Sequence, residues 1–382
     1  MLDSILERKL RERESKHLLR KLTTVKGLID FTSNDYLGLA ASSELFQLIE
    51  ESNRKQGVGK NGSGGSRLLS GNSELAENLE SKLATIFRAD SALVFNSGYT
   101  ANLAVLSSIP TRESTIIYDE LAHTCIKDGA RLSLARRLSF KHNDLNDLES
   151  KMQKASGKVF VAVESIYSMD GDCCPLAELV ALTDRYNATI ILDEAHSTGV
   201  MGQGGSGLSV SAGLHDRIGA RIYTFGKAMG VHGACVVGSR ILQQYLINFA
   251  RPFVYTTAMP PHSLTAIDCS FSYLQQNISL QQTLSQLIHT YLEEVSPLTN
   301  RTQSSSSIQT IIVPGNENTI AAARSLQQMG FDVRPILSPT VPEGSERLRI
   351  CLHTLNTAPQ IRDLVNQLKQ IPQGVSKSLK TT

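Results

Sequence analysis

Apolar residues recur along this chain at two spacings, and the spacing changes with position. Near the start, Leu2, Ile5, Leu6, Leu10, Leu18 and Leu19 alternate with charges at helical intervals, which predicts an amphipathic helix over 2–21. A short strand and turn follow in LIDFTSNDYLGLA. The stretch GVGKNGSGGSRLLSG (57–71) holds too many glycines for a helix interior and reads as a loop. Leu75, Leu79, Leu83 and Ile86 then share one helix face, with Glu74 and Glu77 in the first turn, where the helix dipole favours acids.

From there to about residue 240 the pattern alternates between strands and helices. Strands are predicted at 92–95, 115–118, 159–163, 189–192, 221–225 and 234–237. Several are unbroken apolar runs, as in a parallel sheet covered on both faces. Pro175 opens a helix running to about Asn187. After Pro260 and Pro261 one long helical stretch is predicted to about Leu298, and the polar run 300–307 is a loop. Strands at 308–313, 331–335 and 347–351 alternate with helices at 319–329 and about 359–370, an α+β pattern. The polar end, 374–382, is expected to fray.

The chain has 382 residues, 41% hydrophobic and 19% charged, enough to bury a sizeable core without covalent staples. Its formal charge of +2 gives no global argument for nucleic acid or a membrane surface. The six cysteines form no C-x-x-C pair, so neither a zinc site nor a disulfide framework is expected, and no metal. The first residues lack the apolar core of a secretory signal, and their acids argue against a transit peptide. A cytoplasmic protein is the expectation.

Five short segments carry candidate chemistry, each at a predicted strand end. TIILDEAH closes a strand on Asp193 and continues to His196. A nucleotide-hydrolase reading of D-E-A-H needs a G-x-x-x-x-G-K-[ST] loop, and none is present. YTFGKAMGVHG places Thr224 and Lys227 among glycines, where a ligand could approach a lysine that is otherwise a poor nucleophile at neutral pH. FNSGYTA opens a helix at Gly98 and Tyr99, whose N–H groups suit a phosphate. DELAHTC carries His123 and SMDG carries Ser168. Taken singly, each could be a cap, a turn or a surface residue.

Together they run in one order, and with it the sequence resembles the α-oxoamine synthases among fold-type I pyridoxal-5′-phosphate (PLP) enzymes. The resemblance runs through SNDYLGL, GSGGSRLLSG, SGYTAN, LAHTC, SMDGD, LDEAHSTG, TFGKAMG, YTTAMPP and TVPEGSERLRI, nearly the whole chain. It implies an aspartate aminotransferase-like α/β fold with a mostly parallel central sheet and a smaller α+β C-terminal domain. The implied division is 1–45, an N-terminal helix and short strand; 46–278, a large PLP-binding domain; and 279–382, the C-terminal domain.

The resemblance makes Lys227 the lysine that forms an imine with PLP and later takes the Cα proton. It puts Asp193 on the pyridine nitrogen, His196 on the ring hydroxyl oxygen, His123 on the ring face and Ser168 near the same oxygen or the ring edge. Gly98, Tyr99 and Thr224 hold the phosphate, and Thr256 or Thr257 reaches the phosphate of a neighbouring subunit in a homodimer. Arg349, Asn34 and Arg20 are the implied substrate contacts, Arg349 gripping a carboxylate; spacing alone leaves Arg347 as a competitor. The implied reaction joins L-alanine to a pimeloyl thioester, carried on coenzyme A or an acyl-carrier protein, with loss of CO2. A sister reaction with glycine and acetyl-CoA, and an aminotransferase on the same fold, are the alternatives. The segment ARLSLARRLSFKH, with Arg131, Arg136, Arg137 and Lys141 and no acid, is expected to steer the thioester if it lies near the acyl entrance.

Overall fold

The computed structural model describes residues 2–16, 18–22, 24 and 26–371. The described chain divides into two compact units. One comprises residues 35–168 and 172–283, and the other the described residues of 2–34, 169–171 and 284–371. The described residues up to Asn34 group with the C-terminal part. The predicted end at 374–382 lies outside the described residues.

The strands, in chain order, are β1 (Ile29–Asp30), β2 (Ser91–Phe95), β3 (Thr115–Asp119), β4 (Arg136–Phe140), β5 (Val159–Glu164), β6 (Thr189–Asp193), β7 (Ala220–Thr224), β8 (Ala234–Gly238), β9 (Ile308–Ile312), β10 (Phe331–Asp332), β11 (Arg334–Ile336) and β12 (Arg347–Cys351). In the larger unit seven of them form one sheet in the order β2-β8-β7-β6-β5-β3-β4. Only β8 runs against its neighbours. Its apolar runs are unbroken because both faces are covered. Ile116, Phe160, Ala162, Ile191 and Ile222 pack into one buried cluster. Their neighbours Ile117, Val161, Val163, Ile190 and Leu192 pack into another. Successive side chains point to opposite faces, so each strand feeds both cores.

Strand β4 was not predicted. Its sequence, RRLSF, is mostly exposed and sits at the sheet edge beside β3. An edge strand needs no apolar run, and charged residues there discourage pairing with another chain.

In the smaller unit, β11-β12-β9 form an antiparallel sheet, and β1 pairs with β10 in parallel. Leu348 and Ile350 of β12, Ile311 of β9 and Ile361, Leu364 and Val365 of the helix Ala358–Leu368 fill its core. The single strand predicted over 331–335 is two, in different sheets. The N-terminal helix is shorter than predicted, Leu2–Ser15, and buries none of its residues. The long helical stretch after Pro260 is two helices, Pro261–Gln276 and Ser279–Val295, interrupted at Asn277. Asn277 leaves helical geometry and donates its backbone N–H to Tyr273 and Leu274 carbonyls, which ends the first helix. Among the described residues no helix is long and apolar enough to cross a membrane.

Candidate active site

The larger unit brings its candidate residues to the carboxyl ends of the parallel strands, where ligands of such sheets bind. Four strands close on a buried polar side chain: Asp119 on β3, Glu164 on β5, Asp193 on β6 and Thr224 on β7. Glu164 and Asp193 are register partners, so these two acids sit side by side.

Asp193 is held by two N–H donors. One carboxylate oxygen accepts from Ala195 N–H at 2.8 Å, the other from the side-chain amide of Asn102 at 2.6 Å. Asn102 also donates to the Gly98 carbonyl at 3.0 Å. It therefore ties the first turn of the helix Gly98–Ser108 to the Asp193 carboxylate. Sequence reasoning missed Asn102, although it was quoted within SGYTAN. The signal was a lone amide among the buried positions Ala101, Ala104 and Val105 of that helix.

Ser97 caps this helix in a capping box with Thr100. The N–H groups of Gly98 and Tyr99 are first-turn donors with no carbonyl one turn back. They approach β7 closely: a Cβ on Gly98 would stand 2.3 Å from Thr224 Cγ2. Only glycine fits there. The Thr224 hydroxyl is buried and has no hydrogen-bond partner among the described residues. A buried hydroxyl without a partner is costly, and a phosphate oxygen at the helix N-terminus would satisfy it. These residues fit the phosphate of PLP. The Tyr99 hydroxyl donates to Asp128.

Lys227 lies in the tight turn between β7 and β8, whose closure is marked by Gly230 N–H to the Lys227 carbonyl at 2.8 Å. Gly230 has φ +66°, and a Cβ there would meet the Ala40 nitrogen at 2.3 Å. His196 is buried, and its Nδ1 is 2.7 Å from the Tyr36 hydroxyl. Tyr36 comes from SNDYLGL and fixes the imidazole; sequence reasoning gave it no role. Ser168 is buried at the tip of the β5 exit loop.

His123 caps the helix Thr124–Leu132, with Nδ1 accepting from Cys125 N–H at 3.2 Å. Its backbone N–H donates to Glu164 at 2.5 Å. Partial burial holds the His123 imidazole below its ordinary pKa; Asp193 opposes this and Lys227 adds to it. Burial, with Asp193 next in weight, pushes the Glu164 carboxyl up to about 8, while the His123 N–H and Lys227 act the other way. Burial also raises the Cys125 thiol, again with Asp193, Glu164 and Lys227 as neighbouring charges. The shared influences put Asp193, Lys227, His123, Glu164 and Cys125 in one electrostatic neighbourhood. Thr256 is half-buried and Thr257 exposed, and the Thr257 carbonyl accepts from the Asn96 amide at 3.0 Å.

The smaller unit distinguishes the two arginines of β12. Arg347 is buried and ion-paired with Asp170, and its Nε donates to the Ser345 carbonyl. Arg349 is half-buried and reaches the side chains of Asn34 at 3.0 Å and Cys351 at 2.8 Å. Asn34 follows a turn built by Asp30, whose carboxylate accepts Thr32 and Ser33 N–H groups. Arg20 is exposed, outside any helix or strand.

The basic segment runs along an edge strand, with Lys141 just past its carboxyl end. Arg136 and Arg137 begin β4, at the amino end of a strand parallel to β3, whereas the candidate residues cluster at the carboxyl ends. Arg136 is spent on the Lys154 carbonyl at 3.0 Å.

Comparison with known proteins places the chain in a family. Residues 26–368 match the family model of aminotransferase class I and II. The chain is 38% identical to an 8-amino-7-oxononanoate synthase of Emericella nidulans, covering 98% of this chain and 97% of that one. It is 36% identical to the one of Lysinibacillus sphaericus, covering 96% and 94%. A solved 8-amino-7-oxononanoate synthase of Francisella tularensis superposes with a TM-score of 0.77 at 29% identity, over 91% of this chain and 98% of that one. A serine palmitoyltransferase of S. paucimobilis with bound PLP-myriocin shares the fold, with a TM-score of 0.86 over 96% of each chain at 24% identity.

Proposed function

The chain belongs to the aminotransferase class I and II family, a fold-type I PLP enzyme of the α-oxoamine synthase kind, and from that premise we propose that it makes 8-amino-7-oxononanoate for biotin biosynthesis. The reaction joins L-alanine to a pimeloyl thioester of coenzyme A or acyl-carrier protein and releases CO2 and the free thiol. The observation that carries the site reading is the unsatisfied Thr224 hydroxyl against the Gly98 turn, with Asn102 linking that turn to Asp193. One end of that chain of contacts suits a phosphate, the other a protonated ring nitrogen.

When bound, PLP supplies an electron sink for the pair of electrons left on the amino-acid Cα. Gly98 and Tyr99 N–H groups and the Thr224 hydroxyl would hold its phosphate. Asp193, fixed by Asn102 and Ala195, would keep a proton on the pyridine nitrogen. His123, its backbone fixed by Glu164, would contact the ring. His196, oriented by Tyr36, would donate to the ring hydroxyl oxygen, with Ser168 beside it. Lys227 would anchor the cofactor and then take the Cα proton of L-alanine. Arg349 with Asn34 holds the alanine carboxylate, a pairing suited to a guanidinium. Arg347 is already committed to Asp170, which favours Arg349 in this role. Arg20 contacts the acyl chain.

The protein acts as a cytoplasmic homodimer in this reading. Leu69, Ile241 and Tyr255 are 87%, 78% and 79% exposed, side chains that a second copy would cover. Thr256 and Thr257 follow Tyr255 and would serve the phosphate of the second copy's site.

The test is product identification by mass spectrometry, with L-alanine and glycine each offered with pimeloyl-CoA, pimeloyl-acyl-carrier protein and acetyl-CoA. The expected product is 8-amino-7-oxononanoate from L-alanine and a pimeloyl donor. A product from glycine and acetyl-CoA alone, or stoichiometric pyruvate from alanine without any thioester, would replace this reading with one of the two alternatives.

A further inference from the structure

His142 lies behind the site and makes contacts that its place in FKHND did not suggest. Its Nδ1 is 2.9 and 3.1 Å from the two Asp119 carboxylate oxygens, and its Nε2 is 2.8 Å from Asp172. A carboxylate only accepts hydrogen bonds, and a neutral imidazole has one N–H. Both contacts are satisfied together only by an imidazolium. Asn143, at φ +51°, doubles the link: its backbone N–H donates to Asp119 at 3.0 Å and its side-chain amide to Asp172 at 2.7 Å. The Tyr167 ring stands edge-on to the imidazole, 4.4 Å between centroids.

The two acids belong to two different loops. Asp119 ends β3 and shapes the next residues: its carboxylate accepts from Leu121 N–H at 2.8 Å and its carbonyl from Ala122 N–H at 3.0 Å. The residue after Ala122 is His123. Asp172 lies across the β5 exit loop, where its carbonyl accepts from Tyr167 N–H at 3.0 Å, next to the Ile166–Cys173 bridge. The residue after Tyr167 is Ser168. One imidazolium therefore joins the loop that presents His123 to the loop that presents Ser168.

We propose that His142 is a positioning residue: as an imidazolium between Asp119 and Asp172 it fixes the spacing of the loops that carry His123 and Ser168, and so sets the affinity for PLP. This rests on the reading of His123 and Ser168 as cofactor contacts. The charged and titratable groups around the ring are Asp119, Asp172, Glu120, which accepts the His142 backbone N–H, and Tyr167. Burial alone would lower the His142 pKa, but the two aspartates outweigh it and push it up to about 10.

The experiment compares PLP dissociation constants of the full chain and its variants, measured by the cofactor's absorbance, with histidine ring protonation followed by 15N NMR. His142→Gln keeps one amide donor and loses the charge; PLP affinity should fall by about tenfold or more, the scale of a lost charge-assisted hydrogen bond. His142→Gln with Asp172→Asn removes the stranded acid and should recover affinity to within about threefold of wild type, since coupled neighbours are non-additive. In the wild type both His142 ring nitrogens should stay protonated at pH 8. If His142→Gln does not fold, Asp172→Asn alone carries the test, with an expected loss of about threefold. His123→Ala and Ser168→Ala are the controls. If they weaken PLP binding and His142→Gln, or its substitute, does not, the positioning role is overturned. A His142 ring that titrates near its ordinary value overturns it as well. If neither control weakens binding, the assignment of the cofactor contacts fails, and this inference with it.

Discussion

The two ends of the seven-stranded sheet are made by the same strands and treat polar residues in opposite ways. At the carboxyl ends, Asp119, Glu164, Asp193 and Thr224 are buried, and each is tied to a neighbouring loop or, for Thr224, left waiting for a partner. At the amino end of β4, Arg136 and Arg137 are exposed, and Arg136 bonds a nearby carbonyl. Strand direction decides the difference. Loops leaving the carboxyl ends splay apart and leave a crevice, and helix N-termini point their donors into it. A polar residue there is desolvated and must be satisfied by a neighbour or a ligand; the same residue at the other end meets water.

The largest effect should follow from removing the carboxyl-end lysine proposed to anchor PLP. Lys227→Ala should abolish the lysine-dependent absorbance of bound PLP and lower turnover by about 10²- to 10⁴-fold, the range for a positioned proton-transfer group. Absorbance spectra and steady-state rates check this, and a variant within tenfold of wild type would move the role elsewhere.

The next prediction extends the comparison to the smaller unit, where two arginines of one strand differ by what they touch. Arg349→Ala should raise the KM for L-alanine by about 10- to 150-fold, from loss of a charge-assisted pair of roughly 1.5–3 kcal/mol. Arg347→Ala should leave that KM within about threefold but strand Asp170, at a stability cost on the order of 3 kcal/mol. Steady-state kinetics and thermal melting of both variants separate the roles, and the reverse ranking in KM would exchange them.

Glu164 gives a smaller, pH-dependent effect. Its carboxyl titrates ordinarily near 4.5 and in the folded protein near 8. Between these values the folded chain holds a proton that the unfolded chain has lost, so stability falls as pH rises through that window. Glu164→Gln cannot ionise. Its melting temperature should drop less than that of wild type from pH 5 to pH 8, and parallel melting curves across this range would contradict the assignment.

The smallest effect is at the amino end. Arg136→Glu with Arg137→Glu should leave kcat/KM for the pimeloyl thioester within about twofold of wild type, with an unchanged dependence on salt, because exposed charges away from a site are screened within a Debye length. A lower rate with a flattened salt dependence would restore the basic segment as a docking surface for the thioester.

These contrasts also mark what the sequence made legible. The strands at 92–95, 115–118, 159–163 and 189–192 could be read because both faces are buried and the apolar runs are unbroken. RRLSF could not, since an edge strand with exposed residues has no such run. The break at Asn277 was hidden because apolar residues continue on both sides of it at helical spacing. Asp193 and Lys227 stood out because they end or follow apolar strands within a motif series. Glu164 ends VFVAVE as Asp193 ends TIILD, and that parallel was visible but not used. Asn102, Tyr36 and His142 act through residues distant in sequence, by 91, 160 and 23–30 positions. Only the assembled sheet brings such partners together.

The central claim is that PLP is anchored at the carboxyl end of this sheet by Lys227, and borohydride reduction of the PLP-loaded protein tests it most directly. Reduction fixes the lysine–cofactor bond, and peptide mass spectrometry then locates it. The account predicts one pyridoxyl adduct, on Lys227 in the peptide spanning TFGKAMG. An adduct on another lysine, or a protein that takes up PLP without any reducible bond to Lys227, would contradict it.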